Sequence, residues 1–251
     1  MKLLFLGVYS FMTLGKDLFQ ANMIIESDDG SNMLIDCGSD IRHSLLAQGY
    51  THKDMDAVYI SHLHSDHIGG LEWFGFTNYF KEKRRPKLYV SPDQKKTLWD
   101  NALSAGMSSL EEEQAHLDTY FETPDITNDT FYWGNYKFTL IKTHHTSNNG
   151  HYLPSYGLFI ELNNHKIFIT TDARFTPDSL LTVYNKADII FQDCETSGFS
   201  GQHARYEQLC QLDDEIKNKM WLYGYSNSAL PDAKKDGFKG FVTQGQSFEF
   251  K

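Results

Sequence analysis

Four side chains that can bind a metal ion lie within one run of six residues. They are His62, His64, Asp66 and His67. Imidazole nitrogens and carboxylate oxygens are ligands of zinc-like cations. Residues two apart at the end of a strand can converge on one ion, and the next pair can turn toward a second. The spacing therefore predicts a dinuclear metal site, whose chemistry would be hydrolysis by a metal-activated water molecule.

The residues on either side of this run indicate how it is held. Ala57–Ile60 is apolar and contains β-branched residues, so it predicts a buried strand that leads into the histidines. Gly69 and Gly70 follow, and they allow a tight turn into the next element. A solvated histidine-rich turn that picks up metal adventitiously is the alternative. The clustering of four ligands beside a buried strand favours a built site.

Length, composition and charge restrict the class of protein. With 251 residues, 40% hydrophobic and 14% aromatic, the chain is globular and long enough to bury a large core. A net charge of −10 argues against tracking along a nucleic-acid backbone, and the one basic run, residues 81–87, is interpreted as a solvated connector. A small phosphorylated substrate stays compatible with this charge, because bound metal ions reverse the local field.

Cysteine usage and the first residues bear on location. The sequence has three cysteines, Cys37, Cys194 and Cys210, and no CxxC motif. Neither a disulfide framework nor a zinc ribbon is therefore expected. Residues 1–7 are interpreted as a first strand rather than a signal peptide, because no small-residue cleavage site follows. No stretch has the length that a bilayer crossing requires. We therefore expect a cytoplasmic protein without a membrane partner.

Short apolar runs and helical patterns alternate in both halves of the chain. This arrangement predicts an α/β (α+β) fold in which two sheets pack together with helices outside. No low-complexity linker divides residues 1–251, so a single domain is expected. Residues 104–123 mix flexible and amphipathic segments, and they predict either a mobile lid over the site or an ordinary helix–loop connection.

A dinuclear site needs ligands from elsewhere in the chain. His144 and His145 follow a predicted strand at residues 136–142, and Asp172 lies just past an apolar strand at residues 166–170. A surface histidine pair and a turn-capping aspartate are the alternative interpretations. The residues alone leave the choice between the two histidines open.

The chain resembles the metallo-β-lactamase fold superfamily and, within it, the ribonuclease Z-like phosphodiesterase branch. The resemblance covers nearly the whole chain and rests on residues 5–7, residues 34–38, the His62 to His67 run, His145 and residues 170–172. It implies a four-layer αββα sandwich with two metal ions, Zn²⁺ or alternatively Mn²⁺, at one edge of the sheets. The ligands that it implies are His62, His64 and His145 for the first ion, Asp66 and His67 for the second, and Asp172 for both.

Two further residues resemble the phosphodiesterase branch, in which an acidic residue orients a histidine that protonates the departing oxygen. Asp193 follows a predicted strand at residues 188–191, and His203 opens a predicted helix. The resemblance implies Asp66, Asp193 and His203 as catalytic residues, with Asp193 favouring the charged form of His203. A strand-end aspartate and a helix-capping histidine are the structural alternative.

The chain departs from the family pattern at Gly224, where the last metal-binding histidine is expected after a late strand. Glycine has no ligand atom, so the second ion would depend on Asp66, His67, Asp172 and water. We then expect weaker binding of that ion and reduced or lost activity. Replacing Gly224 with histidine would be expected to restore turnover.

Residues 98–106, 154–158 and 237–241 resemble a smaller group, the anti-Pycsar phosphodiesterases of bacteriophages and their bacterial relatives. Membership implies hydrolysis of 3′,5′-cyclic mononucleotides, such as cyclic CMP and cyclic UMP, to nucleoside monophosphates, which would counter cyclic-nucleotide antiphage signalling. It also implies a homodimer, in the host cytoplasm if the protein is phage-encoded. Tyr120 and Phe121 are candidates for stacking on the base, with core aromatics as the alternative.

Two other classes of function stay open. One is another hydrolase of the same fold, such as a transfer-RNA 3′-processing enzyme, a lactonase or a thioesterase. The sequence lacks a Gly/Pro-rich basic arm, so extended nucleic acid is not an expected partner. The other is a non-catalytic binder of metal or nucleotide, which Gly224 favours.

Overall fold

The computed structural model of the protein describes residues 1–111, 113–162, 164–198 and 200–251. These residues form two compact units. The first unit comprises residues 1–7, 22–128 and 245–251, and the second comprises residues 8–21 and 129–244. The expectation of a single domain stays a prediction.

The first unit contains a six-stranded mixed sheet with the order β15-β1-β2-β3-β4-β5. Its strands are β1 (Lys2–Phe5), β2 (Met23–Glu26), β3 (Asn32–Ile35), β4 (Ala57–Ile60), β5 (Lys87–Val90) and β15 (Ser247–Glu249). The pairs from β15 to β3 are antiparallel, and β3, β4 and β5 are parallel. Parallel neighbours need crossover connections, which the helices of this unit supply.

The helices of the first unit are short. They are α1 (Ile41–Ala47), α2 (Ser65–Ile68), α3 (Leu71–Phe76), α4 (Pro92–Leu98), α5 (Ser104–Met107) and α6 (Leu117–Tyr120). The helices predicted at residues 71–80 and 92–103 are present, but each continues from α-helix into a π-helical segment, Thr77–Glu82 and Trp99–Leu103. The sequence pattern did not predict that the last turns of these two helices are π-helical.

The segment predicted as a lid is anchored in the core of the first unit. Met107, Ala115, Leu117, Tyr120 and Phe121 are all buried there, and the Tyr120 hydroxyl donates a hydrogen bond to the carbonyl oxygen of Met107 at 2.8 Å. The prediction that Tyr120 and Phe121 stack on a base is therefore wrong, because both rings are fully buried among core side chains. A lid motion of residues 104–123 stays a prediction.

The second unit contains a seven-stranded sheet with the order β14-β13-β12-β11-β10-β7-β6, and a separate two-stranded hairpin of β8 and β9. Its strands are β6 (Thr130–Trp133), β7 (Tyr136–Lys142), β8 (Ser147–Asn148), β9 (His151–Tyr152), β10 (Tyr156–Leu162), β11 (His165–Ile169), β12 (Ile189–Asp193), β13 (Met220–Tyr223) and β14 (Gly240–Phe241). From β11 to β14 the strands are parallel. Their carboxyl ends therefore lie at one edge of the sheet.

In the described part of the second unit, three helices accompany this sheet: α7 (Pro177–Lys186), α8 (Tyr206–Leu209) and α9 (Asp214–Lys217). The predicted helix at residues 203–212 is much shorter than expected, and His203 precedes it in a loop. Among the described residues, no helix combines the length and the apolar character that a bilayer crossing requires.

Candidate metal centre

In the first unit, the four clustered ligands form two neighbouring pairs. The chain leaves β4 and passes through His62 and His64, whose Nε2 and Nδ1 atoms lie 3.0 Å apart. Helix α2 then brings His67 Nε2 to 3.2 Å from Asp66 Oδ2. His62, Asp66 and His67 are buried. Four of the six predicted ligands are therefore brought together within their own unit.

Asp36, which sequence reasoning did not single out, orients two of these ligands. Its Oδ2 lies 2.7 Å from His67 Nδ1, and the backbone and hydroxyl of Ser61 donate to its two oxygens at 2.8 and 2.9 Å. The Ser61 hydroxyl in turn lies 3.1 Å from His62 Nδ1. One ring nitrogen of His67 thus faces a carboxylate, which is typical of histidines that bind a metal through the other ring nitrogen.

The backbone at Asp36 is itself unusual. It follows β3 with a φ of +64°, in the left-handed region that few residues other than glycine adopt. Such conformations persist where the surroundings over-determine them, and they concentrate at functional sites. The only trace of Asp36 in the sequence was its place in the run at residues 34–38, which carried part of the family resemblance.

In the second unit, His145 rather than His144 lies beside Asp172. His145 Nδ1 contacts the carbonyl oxygen of Gln202 at 2.8 Å, and its Nε2 lies 3.5 Å from Asp172 Oδ2. His144 instead stacks on Tyr152. Within this unit the geometry favours His145 as the metal ligand, as the family resemblance implies.

The predicted pair of Asp193 and His203 is also brought together in this unit. His203 Nδ1 lies 2.6 Å from Asp193 Oδ2, and the backbone N–H of Ala173 donates to the same oxygen at 3.1 Å. Asp172 Oδ2 is 4.0 Å from His203 Nδ1. Asp172, Asp193 and His203 thus form one cluster of groups that can bind a metal or carry a proton.

The surroundings of His203 favour its protonated form. Burial lowers the pKa of His203, but the charges of Asp193 and Asp172, together with the hydrogen bond to Asp193, outweigh burial and raise the pKa to about 10. A divalent cation at Asp172 would oppose this rise, because it would repel the imidazolium charge. The arrangement can hold a proton on the imidazole at neutral pH.

These donor sets fit a divalent transition metal ion. His67 and His145 each have Nδ1 directed at an oxygen acceptor, Asp36 in one unit and a main-chain carbonyl in the other. This second layer of contacts is characteristic of histidines that bind metal through Nε2. Histidine with carboxylate is a donor set typical of Zn²⁺ and also suits Mn²⁺.

Sequence comparison places the chain in a family. The profile of the family described as "Anti-Pycsar protein Apyc1" matches residues 1–248. The chain belongs to the anti-Pycsar Apyc1 family. The resemblance inferred from the sequence is thereby confirmed.

Two relatives show how far this similarity extends. The Anti-Pycsar protein Apyc1 of Paenibacillus harenae is 32% identical over 234 residues, covering 92% of this chain and 93% of the relative. The Anti-Pycsar protein Apyc1 of Bacillus phage vB_BsuM-Goe3 is 28% identical over 243 residues, covering 92% of each. Members of the anti-Pycsar family therefore occur in both bacteria and phages.

Solved structures confirm the predicted fold class. The metallo-β-lactamase fold protein YhfI from Bacillus subtilis superposes with a TM-score of 0.75 at 19% identity, covering 98% of both chains. A diphosphatase from the PhnP family gives a TM-score of 0.73 at 19% identity, covering 100% of this chain and 98% of the other. This anti-Pycsar family member thus has the α/β sandwich fold of the metallo-β-lactamase type.

Gly224, the position at which the chain departs from the expected ligand pattern, occupies a confined place after β13. Its φ is +80°, and a Cβ added there would overlap Asp193 Oδ1. The Gly224 N–H donates to the carbonyl oxygen of Val8 at 2.8 Å. The expectation that Gly224→His restores turnover stays a prediction, and the new Cβ would overlap the carboxylate that holds His203.

Proposed function

We propose that this anti-Pycsar family member is a metal-dependent phosphodiesterase. Its proposed substrates are 3′,5′-cyclic mononucleotides such as cyclic CMP and cyclic UMP, and its products are nucleoside monophosphates. The observation that carries the proposal is the His203–Asp193 pair, at 2.6 Å, next to Asp172. A buried carboxylate that holds a protonated imidazole is suited to protonating a departing alkoxide.

We further propose that the protein binds a pair of metal ions through the ligands that the family resemblance implies. The proposed ligands are His62, His64 and His145 for the first ion, Asp66 and His67 for the second, and Asp172 for both. When bound, Zn²⁺ or Mn²⁺ lowers the pKa of water and stabilises negative charge on phosphoryl oxygens. The support for this assignment is the geometry within each unit and the family membership.

Hydrogen bonds support the roles that we propose for the chain's own residues. Asp193 fixes His203 through Nδ1, and Ala173 fixes Asp193. His203 then presents the proton on Nε2 to the ribose oxygen that leaves phosphorus. Water adds to phosphorus as one phosphorus–oxygen bond of the ring breaks, and the proton of His203 neutralises the departing oxygen. The attacking water loses one proton to solvent, and His203 regains a proton from solvent. Asp66 belongs to the catalytic set by family resemblance and contacts His67.

The test is turnover by the purified full-length protein. Cyclic CMP and cyclic UMP would be incubated with added Zn²⁺ or Mn²⁺, and the nucleoside monophosphates would be separated chromatographically. We expect product from the wild type and none from His64→Ala. His43→Ala is the matched control, because His43 is an exposed histidine on α1. Absence of hydrolysis of every phosphodiester by metal-loaded protein would contradict the proposal.

A second candidate function is favoured by Gly224 alone. Without a ligand at this position, the protein would bind metal or nucleotide without hydrolysing it. This candidate predicts saturable binding of cyclic CMP, measured by equilibrium dialysis, with no product even after prolonged incubation. Product formation by the wild type would eliminate it.

We also propose a homodimer that acts in the cytoplasm, the host cytoplasm for a phage-encoded member. The support is family membership, which includes relatives from Bacillus phages. Its action there would be to counter cyclic-nucleotide antiphage signalling. Light scattering on the purified protein tests the assembly, and the mass of a single chain would contradict it.

A further inference from the structure

The loop between β12 and α8 carries His203 and also the carbonyl oxygen that contacts His145. Main-chain hydrogen bonds close the base of this loop. The Glu195 N–H donates to the carbonyl oxygen of Ala204 at 2.8 Å, and the Tyr206 N–H donates to the carbonyl oxygen of Glu195 at 3.1 Å. The described residues of this segment, which we call the Glu195 loop, are 195–198 and 200–205. The two bonds fix the ends of the loop, so the residues between them depend on other contacts.

The side chain of Glu195 begins a chain of hydrogen bonds through the interior of the loop. Its Oε1 accepts a hydrogen bond from the Ser200 N–H at 3.0 Å. The Ser200 hydroxyl oxygen accepts one from the Gln202 N–H at 3.1 Å. The Gln202 carbonyl oxygen lies 2.8 Å from His145 Nδ1. Three successive contacts therefore connect a carboxylate to the ring of the proposed metal ligand.

The last of these contacts determines which nitrogen of His145 can bind a metal. A carbonyl oxygen only accepts hydrogen bonds, so Nδ1 must carry the proton and Nε2 keeps its lone pair for an ion. The main chain of His145 is held separately, because Arg174 Nε donates to its carbonyl oxygen. What the Gln202 carbonyl adds is therefore the orientation and the tautomer of the imidazole.

We propose that Glu195 is a positioning residue that orients His145 for metal binding through Ser200 and the Gln202 carbonyl. The inference rests on the proposed function, since it deepens the assignment of His145 as a metal ligand. Glu195 is half-buried, and a hydrogen bond from an amide to a carboxylate is stronger than one to a neutral oxygen. Its carboxylate is therefore suited to anchoring the middle of the Glu195 loop.

The first experiment measures Zn²⁺ affinity by competition with a chromogenic chelator. Glu195→Ala removes one hydrogen bond of the chain and is expected to weaken Zn²⁺ binding about fivefold. Glu195→Gln keeps an acceptor oxygen and should stay within about twofold of the wild type. Glu207→Ala is the matched control, because Glu207 is an exposed carboxylate on α8. No loss of affinity in Glu195→Ala would overturn the inference.

The glutamine variant also separates the hydrogen bond from the charge. The negative charge of Glu195 contributes to the raised pKa of His203, and Glu195→Gln removes this charge while it retains the acceptor. An equal loss of Zn²⁺ affinity in the glutamine and alanine variants would assign the effect to charge. That result would overturn a role through Ser200.

A double variant tests whether Glu195 and Ser200 act through one chain of contacts. Ser200→Ala removes the hydroxyl that holds the Gln202 N–H, and it should also weaken Zn²⁺ binding about fivefold. Changes that act on the same contact are not additive, so the double variant should lose little more than either single variant. A loss of about 25-fold, the product of two independent effects, would contradict the proposed chain.

The tautomer of His145 provides a measurement that a general loss of stability would not change. Metal-free protein labelled with ¹⁵N-histidine would be compared by NMR, and the His145 signals would be assigned by their absence in His145→Ala. In the wild type we expect a proton on Nδ1 and none on Nε2. In folded Glu195→Ala, exchange between tautomers should bring the two ¹⁵N shifts closer together. Unchanged shifts would overturn the inference.

These measurements distinguish the inference from the proposed function, because neither Zn²⁺ affinity nor the tautomer depends on turnover. A wild type that shows both expected differences from Glu195→Ala but forms no product contradicts only the phosphodiesterase proposal. A wild type that hydrolyses cyclic CMP, with a Glu195→Ala variant that binds Zn²⁺ equally well, contradicts only the inference. A wild type that binds no Zn²⁺ overturns both.

Discussion

The two units carry their candidate ligands in different ways. In the first unit, four ligands come from six consecutive residues at the end of β4 and in α2. In the second, His145, Asp172, Asp193 and His203 come from four separate segments, and the parallel strands β11 and β12 bring two of them to one sheet edge. A contiguous set is visible in the sequence as a motif. A dispersed set becomes visible only once the strands are assembled.

The units also differ in how they orient their ligand histidines. His67 depends on the side chain of Asp36, whereas His145 depends on the main-chain carbonyl of Gln202. A side-chain partner can be removed by one substitution, but a carbonyl is retained by nearly every replacement. We therefore expect the first unit to be more sensitive to mutation in its second layer of contacts.

The largest expected effect tests one proposed metal ligand from each unit. His62→Ala in the first unit and His145→Ala in the second should each reduce bound metal and lower turnover by more than the 10–100-fold expected for a second-layer change. His144→Ala is the control for the second unit, because it keeps the proposed ligand. Metal content measured by plasma emission, together with turnover, checks the comparison. Metal loss in only one of the two variants would contradict the assignment of both histidines as ligands.

The next effect separates proton donation from metal binding in the second unit. His203→Ala should lower kcat by roughly 10²–10⁴-fold, the range for loss of a general acid. Bound metal should remain near the wild-type amount, because His203 is not a proposed ligand. Steady-state kinetics and metal analysis on the same preparation measure both. Release of metal by His203→Ala would instead assign this residue to the metal site.

A smaller effect compares the second layers of the two units directly. Asp36→Asn removes the carboxylate that contacts His67, and we expect a 10–100-fold loss in metal affinity, the size typical of such changes. Gln202→Ala keeps the carbonyl that contacts His145 and should change affinity by less than about twofold. Competition with a chromogenic chelator measures both affinities. Equal losses would contradict the distinction between side-chain and main-chain anchoring.

The smallest effect concerns stability at two glycines with similar backbone angles. Gly224 in the second unit and Gly30 in the first have φ of +80° and +85°, but only Gly224 lacks space for a Cβ. Alanine at either position should cost about 1–2 kcal/mol for the left-handed backbone. Gly224→Ala should cost more, and it should also lower kcat by displacing Asp193. Thermal denaturation compares the two, and equal shifts in Tm would argue against the overlap with Asp193.

Much of the first unit could be predicted from the sequence, because its signals are local. The strand Ala57–Ile60 was predicted with its observed bounds, and the ligand run beside it was read from spacing alone. Asp36 was missed as a functional residue because its contact with His67 joins positions 31 residues apart. No local pattern reports a contact over that separation.

The second unit was less predictable for a related reason. Its strands were found from their apolar character. Family resemblance, however, was needed to choose His145 over His144 and to name Asp193 and His203. The hairpin of β8 and β9 was missed because its exposed residues have no alternating apolar pattern, although the pair Asn149-Gly150 was an available turn signal. The helix at residues 203–212 was predicted too long, since only Tyr206–Leu209 is helical.

The position of β15 beside β1 has a consequence for synthesis. Lys2, Leu3 and Leu4 pair with residues 247–249, which follow the whole second unit in chain order. A ribosome therefore releases the last strand of the first sheet only after every residue of the other unit has been made. Because such distant pairings are slow to form, the first sheet is expected to close only after the second unit has been synthesised, and nascent chains halted before residue 247 should expose one edge of β1 to proteases.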